Sequence, residues 1–120
     1  MELIQRAEAI RGKTLRLIWT EGPTRGTTHD HVFHPDGTVE WHDATSEGKT
    51  KSVEGAGAGS QERPPYAAIQ AADDVYAVSY LAPSGYTLTV VLNFRDRTMV
   101  GFASSAEDWH PVRGRFEVVN

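Results

Sequence analysis

The stretch from Tyr86 to Phe94, YTLTVVLNF, puts Tyr86, Leu88, Val90, Leu92 and Phe94 on one side of an extended chain and Thr87, Thr89, Val91 and Asn93 on the other. That period of two is the alternation of a strand with one buried face. The stretch lies between Ala82-Pro83-Ser84-Gly85, where proline presets φ and glycine tolerates φ > 0, and the polar Arg95-Asp96-Arg97. Val75 to Leu81 (VYAVSYL) before it and Thr98 to Ser104 (TMVGFAS) after it also read as strands, so three successive strands form an antiparallel meander. A sheet with one apolar face needs a cover, and the remaining residues have to supply it.

Lys13 to Thr20 (KTLRLIWT) sets Leu15, Leu17 and Trp19 against Thr14, Arg16, Ile18 and Thr20, which predicts a strand with a mainly apolar face. Thr27 to His34 and Thr38 to Asp43 flank the turn signal Pro35-Asp36-Gly37 and read as a hairpin. Its first arm places His29, His31 and Phe33 on one face and Asp30, Val32 and His34 on the other; on its second arm Val39 and Trp41 oppose Glu40 and His42. Thr45 to Glu54 reads as a polar edge strand, its lysines suited to a guarded edge. Gly55 to Pro65 (GAGAGSQERPP) reads as a flexible loop that could act as a lid, and Tyr66 to Ala72 as a short apolar element entering the meander. Ser105-Ala106-Glu107-Asp108 is expected to turn into Trp109-His110-Pro111, and Arg113 to Val119 to close the sheet. Residues 2 to 11 are the helical candidate, with Leu3, Ile4, Ala7 and Ile10 at helical spacing and Gly12 as the stop. Under three turns long, that helix would need to rest on one end of the sheet.

Seven or eight short strands and one helix in 120 residues predict a single all-β domain over 1–120, with strands within 13–119. Closing the sheet removes its edges, so a small antiparallel barrel is favoured over an open sheet, with a two-sheet sandwich as the alternative. The absence of cysteine excludes disulfides, thiolate nucleophiles and Cys-ligated zinc. No apolar run approaches the ~20 residues of a membrane span, and the first residues lack a signal-peptide layout, so a cytoplasmic protein without a membrane partner is expected. A net charge of −4 with scattered lysines and arginines argues against a nucleic-acid partner.

Gly12 followed by the Trp19 strand, the Phe33, Gly37 and Trp41 hairpin, Tyr66 ahead of VYAVSYL, the paired YTLTVVLNF and TMVGFAS, and the closing Trp109, Gly114 and Phe116 together resemble the MoaF-like group of calycin-type barrels. The resemblance covers nearly the whole chain. It implies a seven- to eight-stranded, lipocalin-like barrel with an interior cavity and a short N-terminal helix. The family's name comes from an association with molybdenum cofactor synthesis, and similar barrels include cofactor-free phenolic acid decarboxylases and small-ligand carriers. No residues here map one by one onto the tyrosine, arginine and glutamate site of those decarboxylases.

The densest polar cluster is His29-Asp30-His31-x-x-His34 with Glu40 and His42 on the facing strand. A His-x-His pair on a strand points two imidazoles the same way, roughly 6.5 Å apart, which is compatible with a shared metal. The later glutamate lacks the close spacing of a cupin metal site, and His110 is the only later candidate, so the preferred reading assigns no metal and no cofactor. Facing inward, Trp19, His31, Trp41, Tyr76 and Tyr80 would form an aromatic cage for a flat, partly polar organic molecule. Tyr76 and Tyr80 share a face with Val78, so both are expected to reach the cavity or neither. His31, or His29, is the candidate general acid or base, because imidazole titrates near neutrality. Tyr76 and Tyr80 are the candidate donors to a developing oxyanion, and Arg16 an anion anchor if its face turns inward. Trp19, His29, Trp41, Arg16 and Tyr66 are the candidate ligand-binding residues. Ser84, Ser104 and Ser105 sit in no nucleophile elbow, and GAGAGS lacks the Lys-Ser/Thr ending of a phosphate loop. The expected function is binding of a small organic molecule in the barrel, with or without cofactor-free isomerisation, decarboxylation, dehydration or cyclisation. The alternatives are a carrier or sensor, and an interaction module with a filled core. An outward Trp109 or Tyr86 would offer a homodimer surface.

Overall fold

The structure is a computed structural model and describes residues 10–44 and 63–120. The expected helix over 2–11, the edge strand over 45–54 and most of the loop over 55–65 lie outside the described residues; residues 10–12 form a turn. Eight strands follow in order: β1 (Thr14–Glu21), β2 (Thr28–Phe33), β3 (Val39–Asp43), β4 (Tyr66–Ala72), β5 (Val75–Leu81), β6 (Thr87–Asn93), β7 (Thr98–Ser104) and β8 (Trp109–Val118). They form one curled antiparallel sheet in the order β3-β2-β1-β8-β7-β6-β5-β4. The pairing of β1 with β8 joins the N-terminal hairpin to the meander and bends the sheet into a barrel. The end strands β3 and β4 meet at the Thr38–Pro65 bridge, where Val39 N donates to Pro64 O (2.9 Å) and Tyr66 N to Gly37 O (3.1 Å).

Alternation decides which side chains fill the interior. Leu15, Leu17 and Trp19 from β1, Phe33 from β2, Val39 from β3, Val78 and Tyr80 from β5, Val90 and Leu92 from β6, and Val112 and Phe116 from β8 are all buried. Ile10 is fully buried, and Gly12 N, two residues on, donates to Phe33 O at 2.7 Å. Two inward positions carry glycine for a steric reason. A Cβ at Gly101 would collide with the Thr89 carbonyl oxygen, and one at Gly114 with the Ile18 carbonyl oxygen. Neighbouring backbones approach at those points as the sheet curls, which only glycine permits.

The closing strand departs from expectation. The turn over 105–108 is where it was expected, but β8 begins at Trp109 rather than at Arg113, so Trp109-His110-Pro111 belongs to the strand. Proline is tolerated because Trp109, His110 and Pro111 pair only with β7 (Ser104, Ala103 and Phe102), while pairing with β1 starts at Arg113 opposite Glu21. The missing N–H therefore falls where β8 is locally an edge. Trp109 (68% exposed) and Phe102 (48%) lie on the outside of this region. Among the described residues no helix is long and apolar enough to cross a membrane.

Two hairpin turns share one chemistry. Asp36 Oδ1 accepts from both Thr38 N (3.0 Å) and Thr38 Oγ1 (2.7 Å), and Asp96 Oδ1 accepts from both Thr98 N (3.1 Å) and Thr98 Oγ1 (2.6 Å). The residue between is left-handed in each, at φ 92° for Gly37 and 63° for Arg97. A left-handed L-residue costs roughly 1–2 kcal/mol, and glycine's greater freedom in the unfolded chain returns part of that. Arg97→Gly is therefore expected to raise stability by about 0.5 kcal/mol, read as a higher urea midpoint with an unchanged slope. A lower midpoint would mean that the Arg97 side chain contributes more than its backbone costs.

Candidate functional site

In an up-and-down sheet every second connection falls at the same end. The β1–β2, β5–β6 and β7–β8 connections share one end, and there the interior is not filled: a cavity of about 600 Å³ opens. Its walls are Trp19, His29, His31, Trp41, Tyr80, Leu88, Ala103 and Val112, and its mouth carries Pro23, Thr24, Ala82, Pro83, Ser84, Tyr86 and His110. None of these described residues is an aspartate, glutamate, lysine or arginine.

Below the cavity, stacked rings take up the space. His31 lies over Phe33 (centroids 6.1 Å apart), and Phe33 meets the Tyr66 ring edge-on at 5.0 Å. Further along, Tyr76 packs on Phe94 (5.8 Å) and Phe94 on Phe116 (4.9 Å). Tyr66 Oη is buried without a hydrogen-bond partner among the described residues, and burial raises its pKa.

The polar centre of the cavity is His31, 1% exposed, whose Nε2 lies 2.9 Å from Tyr80 Oη. Burial, reinforced by the neighbouring His29 ring, lowers the His31 pKa to about 3 against the opposing pull of the His29 carbonyl and Asp30. Burial likewise pushes the Tyr80 phenol upward. Both groups are therefore neutral across the physiological range. Nδ1 of His31 makes no hydrogen bond among the described residues.

His29 is held differently. Trp19 Nε1 donates to His29 Nδ1 at 3.3 Å, and the Thr27 hydroxyl donates to Thr24 O at 2.6 Å. With its proton committed, Thr27 Oγ1 accepts from His29 Nε2, 3.3 Å away, which makes His29 the neutral Nε2–H tautomer. Burial lowers its pKa against the pull of Asp43 and Asp30. The ring lies 4.8 Å from Trp41 and 6.4 Å from Trp19, so two indoles and an imidazole make one wall.

Among the residues singled out from the sequence, Trp19, His29, His31, Trp41 and Tyr80 meet at this cavity. Tyr76 does not. It shares the inner face with Tyr80, but four residues at about 3.3 Å each carry it along the barrel to the filled end, and the expectation that both tyrosines reach one cavity is corrected accordingly. Tyr66 pairs with Tyr80 across the β4–β5 ladder and sits beneath the cavity, against Phe33. Arg16 is on the outer face, where its Nε and Nη2 donate to the two Asp30 carboxylate oxygens at 2.8 and 3.1 Å. Leu15, Leu17 and Trp19 occupy the interior, so period two sends Arg16 outward.

The histidine cluster is divided by the sheet. His29 and His31 face in, while Asp30, His34, Glu40 and His42 face out. There Glu40 bridges two rings, with Oε1 2.7 Å from His34 Nε2 and Oε2 2.8 Å from His42 Nε2. The bond from His34 holds the Glu40 carboxyl below its usual pKa. Among the described residues no group of three or more His, Cys, Asp or Glu is arranged to hold a metal ion.

A curled antiparallel barrel with an apolar cavity at one end and stacked rings beneath it defines the class. The MoaF N-terminal domain family matches residues 2–108, and the chain belongs to that family. Its structure is similar to that described as a "putative beta-lactamase" from Burkholderia vietnamiensis, with a TM-score of 0.70 and 20% identity over 92% of this chain and 95% of that one. At that identity the likeness is one of fold. No curated protein matches the sequence.

Proposed function

We propose that this chain binds a small organic molecule in the barrel cavity and holds it without transferring a proton. The observation that carries this reading is an opening of about 600 Å³, walled by indole, imidazole and aliphatic groups and containing one buried polar pair. That volume lies within the ~300–1,000 Å³ of small-molecule sites, and an apolar wall with few polar groups is their usual composition. Retention is favoured over catalysis by the proton chemistry. A general base works best with a pKa near the operating pH, whereas His31 is driven to about 3 and Tyr80 upward.

Ala103 lines the cavity from β7, so an indole placed there would fill it from the wall. Native mass spectrometry of freshly purified protein exposed to cell extract is expected to show a retained small mass on the wild type and none on Ala103→Trp. A wild type that retains nothing, or a variant that retains the same mass, would overturn the reading.

A further inference from the structure

Resting on that reading, we infer that the ligand is a flat molecule without a negative charge, carrying a hydrogen-bonding group that meets Tyr80. The geometry sets each part of this description. Flatness follows from the wall of Trp19, His29 and Trp41, whose ring systems lie 4.8–6.4 Å apart and offer faces and edges for another ring to pack on. Trp19 Nε1 and both His29 nitrogens are already committed to one another and to Thr27. Trp19 and His29 therefore contribute surface and no free hydrogen bond.

Two polar atoms remain at depth, His31 Nδ1, which makes no hydrogen bond among the described residues, and the Tyr80 hydroxyl. Tyr80 lines the cavity, its hydroxyl has one partner among the described residues, His31 Nε2, and a phenol oxygen both donates and accepts. Whichever tautomer His31 adopts, Tyr80 keeps one hydrogen-bonding capacity for a ligand.

The exclusion of an anion follows from the absence of a counter-charge. No described wall residue is cationic, and both His31 and His29 resist protonation because they are buried. An ionised carboxylate carried to Tyr80 would lose its hydration with nothing to compensate. The mouth does not help an anion either, since the His110 ring there is already set against Asp108 (Nε2 to Oδ2 3.5 Å) and the chain as a whole carries −4.

Three probes of nearly one shape test this by calorimetry at pH 7.5: 2-methylnaphthalene, 2-naphthol and 2-naphthoate. On the wild type 2-naphthol is expected to bind tightest. The methyl compound should be about three- to tenfold weaker, the worth of one net hydrogen bond, and the carboxylate at least about tenfold weaker than the naphthol. In Tyr80→Phe the advantage of naphthol over methylnaphthalene should vanish. Naphthoate binding as tightly as naphthol would overturn the exclusion of an anion, with the cavity reading intact. A naphthol advantage that survives in a folded Tyr80→Phe chain would overturn the role of Tyr80. Binding of none of the three would instead remove the small-molecule reading and this inference with it. The ranking on the wild type stands even if the variant does not fold.

Discussion

Between pH 7.0 and pH 4.5 the protein is expected to lose roughly 2–3 kcal/mol of stability through His31 alone, the slope approaching about 1.4 kcal/mol per pH unit below the unfolded pKa. In the unfolded chain this imidazole titrates near 6.5, and in the folded protein near 3, because its cavity-side position removes it from water. The unfolded state therefore takes up the proton first as the pH falls. This contribution is complete about a pH unit above 6.5 and drains away down to about 3. His29, also lowered by burial, acts in the same direction. Glu40, Asp36 and Asp108, each held below the ordinary carboxyl range by hydrogen bonds, add their losses at lower pH. For a small domain with roughly 5–15 kcal/mol in total, this is a large share. Urea unfolding at pH 7.0, 5.5 and 4.5 on the wild type and His31→Gln measures it. The variant should lose clearly less over the range, and equal slopes would show that His31 is not the responsible group.

Gly114→Val is expected to cost 3 kcal/mol or more. Gly114 faces Trp19 on β1 and Met99 on β7, and an added Cβ would strike the Ile18 carbonyl oxygen and come within 2.8 Å of Met99 Cε. The methionine end can swing aside. The carbonyl belongs to β1, which is paired with both β2 and β8, so it has little freedom to retreat. Overpacking a tight interior costs about 1–3 kcal/mol even where side chains can yield, and more where backbone must move. Replacing the exposed neighbour Arg115 by alanine should change stability by less than about 0.5 kcal/mol. A Gly114→Val chain that melts with the wild type would mean that the barrel curls less tightly between β1 and β8 than described.

Strict alternation carried most of the strand assignment. VYAVSYL, YTLTVVLNF and TMVGFAS come within a residue of β5, β6 and β7, and YAAIQAA coincides with β4. Alternation also identifies His29, His31 and Trp41 as inward residues once Phe33 and Val39 are taken as core. It does not encode depth, and this is what separates Tyr80 at the cavity from Tyr76 at the filled end. Nor does it register that a strand outruns its neighbour, the circumstance that lets Pro111 sit inside β8. The mouth residues Pro23, Thr24, Pro83 and His110 went unrecognised as cavity residues because they belong to or adjoin turn segments with no periodicity of their own, whereas Tyr86 is in phase with the cavity residue Leu88. A signal was present all the same: in a meander, the segments around Pro23, Pro83 and Asp108 must gather at one end.

The tryptophans give the protein an optical readout of its own interior. Trp19 and Trp41 look onto the cavity on either side of His29, while Trp109 stands 68% exposed on the outer surface. Two emitters are thus positioned to respond to whatever enters, and the third, bathed in water, serves as an internal standard that an occupant leaves dark or bright as before.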